Sequence, residues 1–112
     1  MKKSYKFIKE RRSEIRVPLE NILSSFRIND VLIEEEIITL NISKSGFGFK
    51  SKQIIDANSI ISLFIQIPNT ISIPIISKII WNGFLDDTNI YGASIIALPE
   101  NFKSFLFNYI DK

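Results

Sequence analysis

Hydrophobic positions along this chain repeat mostly every second residue. In "SIISLFIQIP" (59–68), Ile61, Leu63, Ile65 and Ile67 alternate with less apolar neighbours, and "ISIPIISKIIWNGF" (71–84) begins the same way at Ile71, Ile73 and Ile75. That period predicts half-buried β-strands, and the many β-branched isoleucines suit a pleated surface. "VPLENILSSFRI" (17–28) reads as a strand with an irregular start at Pro18. Asn29-Asp30 is a turn signal before a second strand, "VLIEEEIITLNIS" (31–43), which Glu34, Glu35 and Glu36 interrupt. "GFGFKS" (46–51) is a short strand with Phe47 and Phe49 on one face. Pro68-Asn69-Thr70 is a turn. Asn82-Gly83 is a hairpin signal that competes with "LDDTN" (85–89). The later turn is preferred, with the strand running through Trp81, and "IYGASIIAL" (90–98) is the last strand.

After Pro99 the period changes. Phe102, Phe105, Leu106, Tyr109 and Ile110 fall on one face of a helix over about 99–110. Six short antiparallel strands and one terminal helix predict an all-β domain, closed into a barrel so that no strand edge is left exposed.

Composition narrows the chemistry. The chain has 112 residues, enough for one domain with its own core, and no internal repeat or linker is visible. It holds neither cysteine nor histidine, which excludes disulfides, thiol chemistry and the commonest general base and metal ligand. No catalytic residue, metal site or cofactor is therefore expected. No apolar run reaches the ~20 residues of a membrane span, and the charged N-terminus lacks the apolar core of a signal peptide. A cytoplasmic protein is the expectation.

Net charge is only +2, but it is unevenly placed. Residues 1–16 carry seven Lys and Arg against Glu10 and Glu14. Such a basic end suits an anionic partner, or simply keeps the chain soluble. Arg11, Arg12 and Arg16 give the spacing R-R-x-x-x-R. The planar guanidinium forks onto phosphate, pairs with O6 and N7 of guanine, and stacks on aromatic rings. Further on, Asn41, Ser43 and Gly46 have the spacing N-x-S-x-x-G. Asn has the donors and acceptors to read a base edge, Ser can do either task, and Gly lets a ligand approach the backbone. The same three residue types also make ordinary turns.

The two motifs, in this order and on this strand pattern, resemble the PilZ domain family over nearly the whole chain. Arg12-Ser13-Glu14-Ile15-Arg16 matches the family's R-x-x-x-R element, followed by the usual apolar "VPL". Asn41-Ile42-Ser43-Lys44-Ser45-Gly46 matches its (D/N)-x-S-x-x-G element, with Asn in place of the commoner Asp. "IIWNGFLDDTNIYGASII" is similar to the family's closing hairpin, with Gly92 near the usual glycine.

The resemblance implies a six-stranded antiparallel PilZ-type β-barrel over 17–112, a flexible basic arm over 1–16, and binding of cyclic di-GMP without catalysis. Arg12 and Arg16 would meet phosphates and the guanine Hoogsteen edge. Arg11 would add a contact, as in members that take a stacked dimer of the messenger. Asn41, Ser43 and Gly46 would surround a guanine. Trp81 would stack on it, or else belong to the core. Glu14, between the arginines, is placed to pair with one of them. Ordering of the arm would then alter the surface shown to an effector protein in motility, pilus, exopolysaccharide or virulence control. The rival readings are a PilZ-fold interaction module that needs no nucleotide, and a small barrel that binds nucleic acid.

Overall fold

Alternation along the chain becomes a sheet in the computed structural model, which describes residues 14–111. Among these residues there are nine strands and one helix. The strands are β1 (Val17–Pro18), β2 (Ile22–Leu23), β3 (Phe26–Ile28), β4 (Val31–Ile33), β5 (Ile37–Ile42), β6 (Gly46–Ser51), β7 (Ile60–Gln66), β8 (Ser72–Leu85) and β9 (Thr88–Ala97). The helix, α1 (Glu100–Ile110), follows β9. All strand pairs are antiparallel, in the order β1-β5-β6-β9-β8-β7-β3-β4, with β2 also on β5.

The period-2 positions face the core as expected. Ile61, Leu63 and Ile65 of β7, and Ile73, Ile75 and Ile79 of β8, are buried. Each such side chain contributes roughly 1.5–3 kcal/mol of burial free energy. Phe47 and Phe49 are buried together, and Phe49 stacks on Tyr91 at 5.2 Å between ring centroids. The Tyr91 hydroxyl is not wasted in the core: it accepts from the Ile55 amide at 2.9 Å and donates to the Gln53 carbonyl at 2.8 Å. Pro74 is tolerated in a long strand because the β8–β9 ladder begins only at Ile76, so its missing N–H falls where β7 is the sole pairing neighbour.

The sheet corrects the sequence reading in four places. It is an open path and not a closed barrel. The reason lies in residues 17–28, expected as one strand: β1 and β2 pair with β5, whereas β3 pairs with β7. The chain changes neighbour at Ser24-Ser25, and side chains bridge where backbone ladders stop. Asn21 accepts from the Gln66 amide at 2.6 Å and donates to the Gln66 carbonyl at 3.3 Å. Residues 31–43 also divide, into β4 and β5, because Glu34, Glu35 and Glu36 are all exposed and three adjacent charges cannot share a buried face. On α1, Phe105 was expected inward but is exposed; Leu106 and Ile110 are buried, with Phe107 packed beside them.

The turns follow their residue types. Asn29-Asp30 and Asp86-Asp87 all have positive φ, giving two-residue hairpin loops between the pairs Ile28↔Val31 and Leu85↔Thr88. Asn82-Gly83 passes straight through β8, paired with Tyr91 and Ile90. Helix α1 begins after Pro99 and is tied down at its far end. Tyr109 donates to the Pro18 carbonyl at 3.0 Å, and Asp111 pairs with Lys44 at 3.0 Å. That cation offsets an acidic residue at the negative end of the helix dipole. No helix among the described residues is long and apolar enough to cross a membrane.

Candidate functional site

Two β-bulges decide which side chains reach the outer face of the sheet. Ile37 and Thr39 of β5 are buried, and strict alternation would bury Asn41 as well. Instead the register steps from Thr39↔Phe49 to Asn41↔Gly48. Leu40 is the extra residue, Asn41 turns outward, and Ile42 returns to the core. The Thr39 hydroxyl supports this distortion by donating to the Leu19 carbonyl at 2.9 Å and accepting from the Asn21 amide at 2.8 Å.

Strand β8 repeats the device. Its register steps from Ile79↔Ala93 to Trp81↔Gly92, so Ile80 is extra and Trp81 faces outward at 45% exposure. Trp81 is therefore a surface side chain; the alternative that it is core does not hold. The parity shift at Ile80 is the physical reason.

These bulges complete one row across four strands. Asn41 pairs with Gly48, Gly48 with Gly92, and Gly92 with Trp81. Directly opposed residues in antiparallel ladders share a face. The row thus has an amide at one end, an indole at the other, about 14 Å apart by three strand spacings, and two buried glycines between. Both end side chains lean inward over the glycines. A Cβ on Gly92 would lie 2.1 Å from the Trp81 Nε1, and one on Gly48 would lie 3.2 Å from the Asn41 Oδ1.

Arg16 joins the row at the Asn41 end, where its Nη1 donates to Asn41 Oδ1 at 3.0 Å. The contact spans 25 positions in sequence and brings the last residue of the arginine motif onto the first of N-x-S-x-x-G. Arg11 and Arg12 lie outside the described residues.

The turn after β5 places the rest of the second motif. Ser43 is fully buried. Its amide donates to the Gly46 carbonyl at 2.8 Å, and its hydroxyl accepts from the Gly46 amide at 3.2 Å. Gly46 is required by strand packing: a Cβ there would stand 2.5 Å from the Ala93 carbonyl oxygen on β9. Glu14 caps the turn from outside, accepting from the Ser43 hydroxyl at 2.8 Å and the Ser45 hydroxyl at 2.7 Å. Among the described residues its partners are hydroxyls, not the arginine expected from sequence.

A cleft of 360 Å³ opens beside this turn, lined by Glu14, Arg16, Ser45, Gly46, Ile80, Ala93 and Ser94. A larger, mostly apolar groove of 1120 Å³ lies on its other side, walled by Phe64, Pro74, Ile76, Ile96 and Phe107, with Lys44 and Ser45 at its margin. Ser45 lines both.

Sequence reasoning missed Gly48, Ser45 and the role of Gly92 in seating the Trp81 indole. Gly48 was visible only as part of an alternating strand, and its place opposite Asn41 depends on a bulge with no distinctive residue. Among the described residues no three acidic side chains gather as metal ligands would.

No family model and no curated protein matches the chain. Among solved structures it is similar to the inhibitor of motility MotI/DgrA of Bacillus subtilis, with a TM-score of 0.72 at 15% sequence identity. The match covers 90% of this chain and 49% of that one, so the chain spans about half the length of that protein. At this identity the likeness is one of fold.

Proposed function

We propose that this domain is a PilZ-type receptor for cyclic di-GMP that works as an adaptor and not as an enzyme. The observation that carries this reading is the Arg16–Asn41 hydrogen bond, which joins the two motifs at one edge of the glycine row. Gly48 and Gly92 have no side chains, which lets the Asn41 amide and the Trp81 indole lie over the sheet. Trp81 offers an aromatic face to stack on guanine, worth ~1–3 kcal/mol in comparable base-stacking sites. Asn41 reads a base edge. Arg16, with Arg11 and Arg12 upstream, takes phosphate oxygens and the guanine Hoogsteen edge. Ser43 and Gly46 hold the turn beside the base.

Output follows from the shared wall. A ligand that pulls Arg16 and the residues before it onto the cleft acts on the turn whose Lys44 and Ser45 also border the apolar groove. Only a ligand that binds one arrangement better can shift it. The name of the fold neighbour, an inhibitor of motility, makes the motility machinery the first place to seek an effector protein.

Isothermal calorimetry tests the binding step. Saturable heat with cyclic di-GMP at micromolar protein is expected, and none with GMP at the same concentration. Absence of heat with the cyclic dinucleotide overturns the reading.

A second reading, a nucleotide-independent interaction module, is favoured by the apolar groove, where Phe64 is 62% exposed. It predicts that an effector is held equally well with and without the nucleotide.

A further inference from the structure

The carboxylate of Glu14 sits where an incoming anion would need donors. The Ser45 hydroxyl donates to Glu14 Oε1 at 2.7 Å, and the Ser43 hydroxyl donates to the same oxygen at 2.8 Å. The Ser43 hydroxyl has one proton, and its other acceptor, the Gly46 carbonyl, is farther away at 3.2 Å. A carboxylate only accepts, so both hydroxyl donors of this turn are spent on it. Arg16, two residues on, is anchored to Asn41. Glu14 and Arg16 together staple this stretch to the motif.

We propose that Glu14 is an intramolecular latch that competes with the anionic ligand. In the ligand-free chain it occupies the Ser43 and Ser45 hydroxyls and puts a negative charge on the wall of the 360 Å³ cleft. A phosphodiester entering that cleft meets Arg16 on one side and a like charge on the other. It is gripped only after Glu14 swings out; the Ser45 hydroxyl it leaves becomes free to donate to phosphate or base oxygens, and the buried Ser43 hydroxyl turns to the Gly46 carbonyl. The latch thus sets a threshold: the ligand must outcompete an internal carboxylate before Arg16 can hold it. This inference rests on the cyclic di-GMP reading and names how that site is regulated.

The test compares wild type with Glu14→Gln and Glu14→Asp in calorimetry with cyclic di-GMP. Glu14→Gln removes the charge. Glu14→Asp keeps it but shortens the side chain by one methylene, so that it no longer reaches both hydroxyls. Glu14→Gln should bind about tenfold tighter, the equivalent of one charge-assisted hydrogen bond, and Glu14→Asp should also bind tighter. Without nucleotide, both variants should be cut faster by trypsin after Arg16, with the products identified by mass. Equal or weaker affinity in both variants overturns the latch and leaves the receptor reading standing. Tightening in Glu14→Gln alone assigns the effect to charge and also overturns the latch. Unchanged cleavage in both variants overturns it too. No heat with any of the three proteins overturns the receptor reading and the latch with it.

Discussion

The polar cleft beside Arg16 and the apolar groove beside α1 are back to back on one turn, yet they are built on opposite principles. The groove has about three times the volume (1120 against 360 Å³), but its exposed surface is mainly aliphatic and aromatic carbon that fixes no orientation. The cleft is small, and its walls carry the Arg16 guanidinium, the Glu14 carboxylate and the Ser45 hydroxyl, held at 2.7–3.0 Å from defined partners. Volume tells where a partner's bulk could rest. Directional groups tell what chemistry is recognised. In this domain the two have been separated, with the turn from Ser43 to Gly46 as partition.

Four substitutions test that separation. Gly46→Ala should have the largest effect. Its Cβ would meet a backbone oxygen that cannot move without parting β6 from β9, and the domain should lose about 2–3 kcal/mol, read as a fall in melting temperature. A full-stability Gly46→Ala protein would mean that the partition is soft. Arg16→Ala comes next and acts on function alone. Cyclic di-GMP affinity should fall about 10- to 100-fold for loss of a charge-assisted contact, while thermal stability stays within ~0.5 kcal/mol because the Asn41 bond is exposed. Unchanged affinity would remove Arg16 from the site.

Gly92→Ala should cost about 1 kcal/mol. Its Cβ displaces the Trp81 indole, which a flexible side chain can accommodate, and a shift of tryptophan fluorescence should report the move. No shift would mean that Trp81 does not rest on the row. Phe64→Ser should do least. With Phe64 largely exposed, stability should change by ~0.5 kcal/mol or less and nucleotide affinity not at all. A change in nucleotide affinity would show that groove and cleft act as one site.

Much of the fold was legible because one signal dominated. Ile61 to Ile67 and Ile73 to Ile79 alternate cleanly, and the sheet buries them as that alternation requires. The preference for "LDDTN" over Asn82-Gly83 as the turn is borne out, with Asp86 and Asp87 both at positive φ. What the sequence could not disclose was parity. Leu40 and Ile80 are ordinary strand residues, yet each is the extra residue of a bulge, and each sends its successor to the outer face. The question left open for Trp81, stacking surface or core, turned on that one inserted residue. Barrel closure failed for a related reason. Whether Ser24-Ser25 continues one ladder or switches from β5 to β7 is decided by distant strands, not by the local residues. The family resemblance implied that Arg16, Asn41, Ser43 and Gly46 share one site, and the structure joins Arg16 to Asn41 and Ser43 to Gly46 around the turn after β5.

Gly46 has a consequence for how such domains change over time. Its lack of a side chain is demanded by the Ala93 carbonyl at 2.5 Å, whether or not any ligand is ever bound. The buried Ser43 hydroxyl, which closes the same turn, is under the same obligation. Arg16 and Asn41 carry no such debt to the fold, since their mutual bond lies in solvent. On the proposed cyclic di-GMP reading, a descendant that no longer bound the nucleotide would drift first at Arg16 and Asn41, and would keep the serine and the glycine long afterwards. The second half of N-x-S-x-x-G therefore answers to the fold, and the first half, with the arginine facing it, is left free to answer to a ligand.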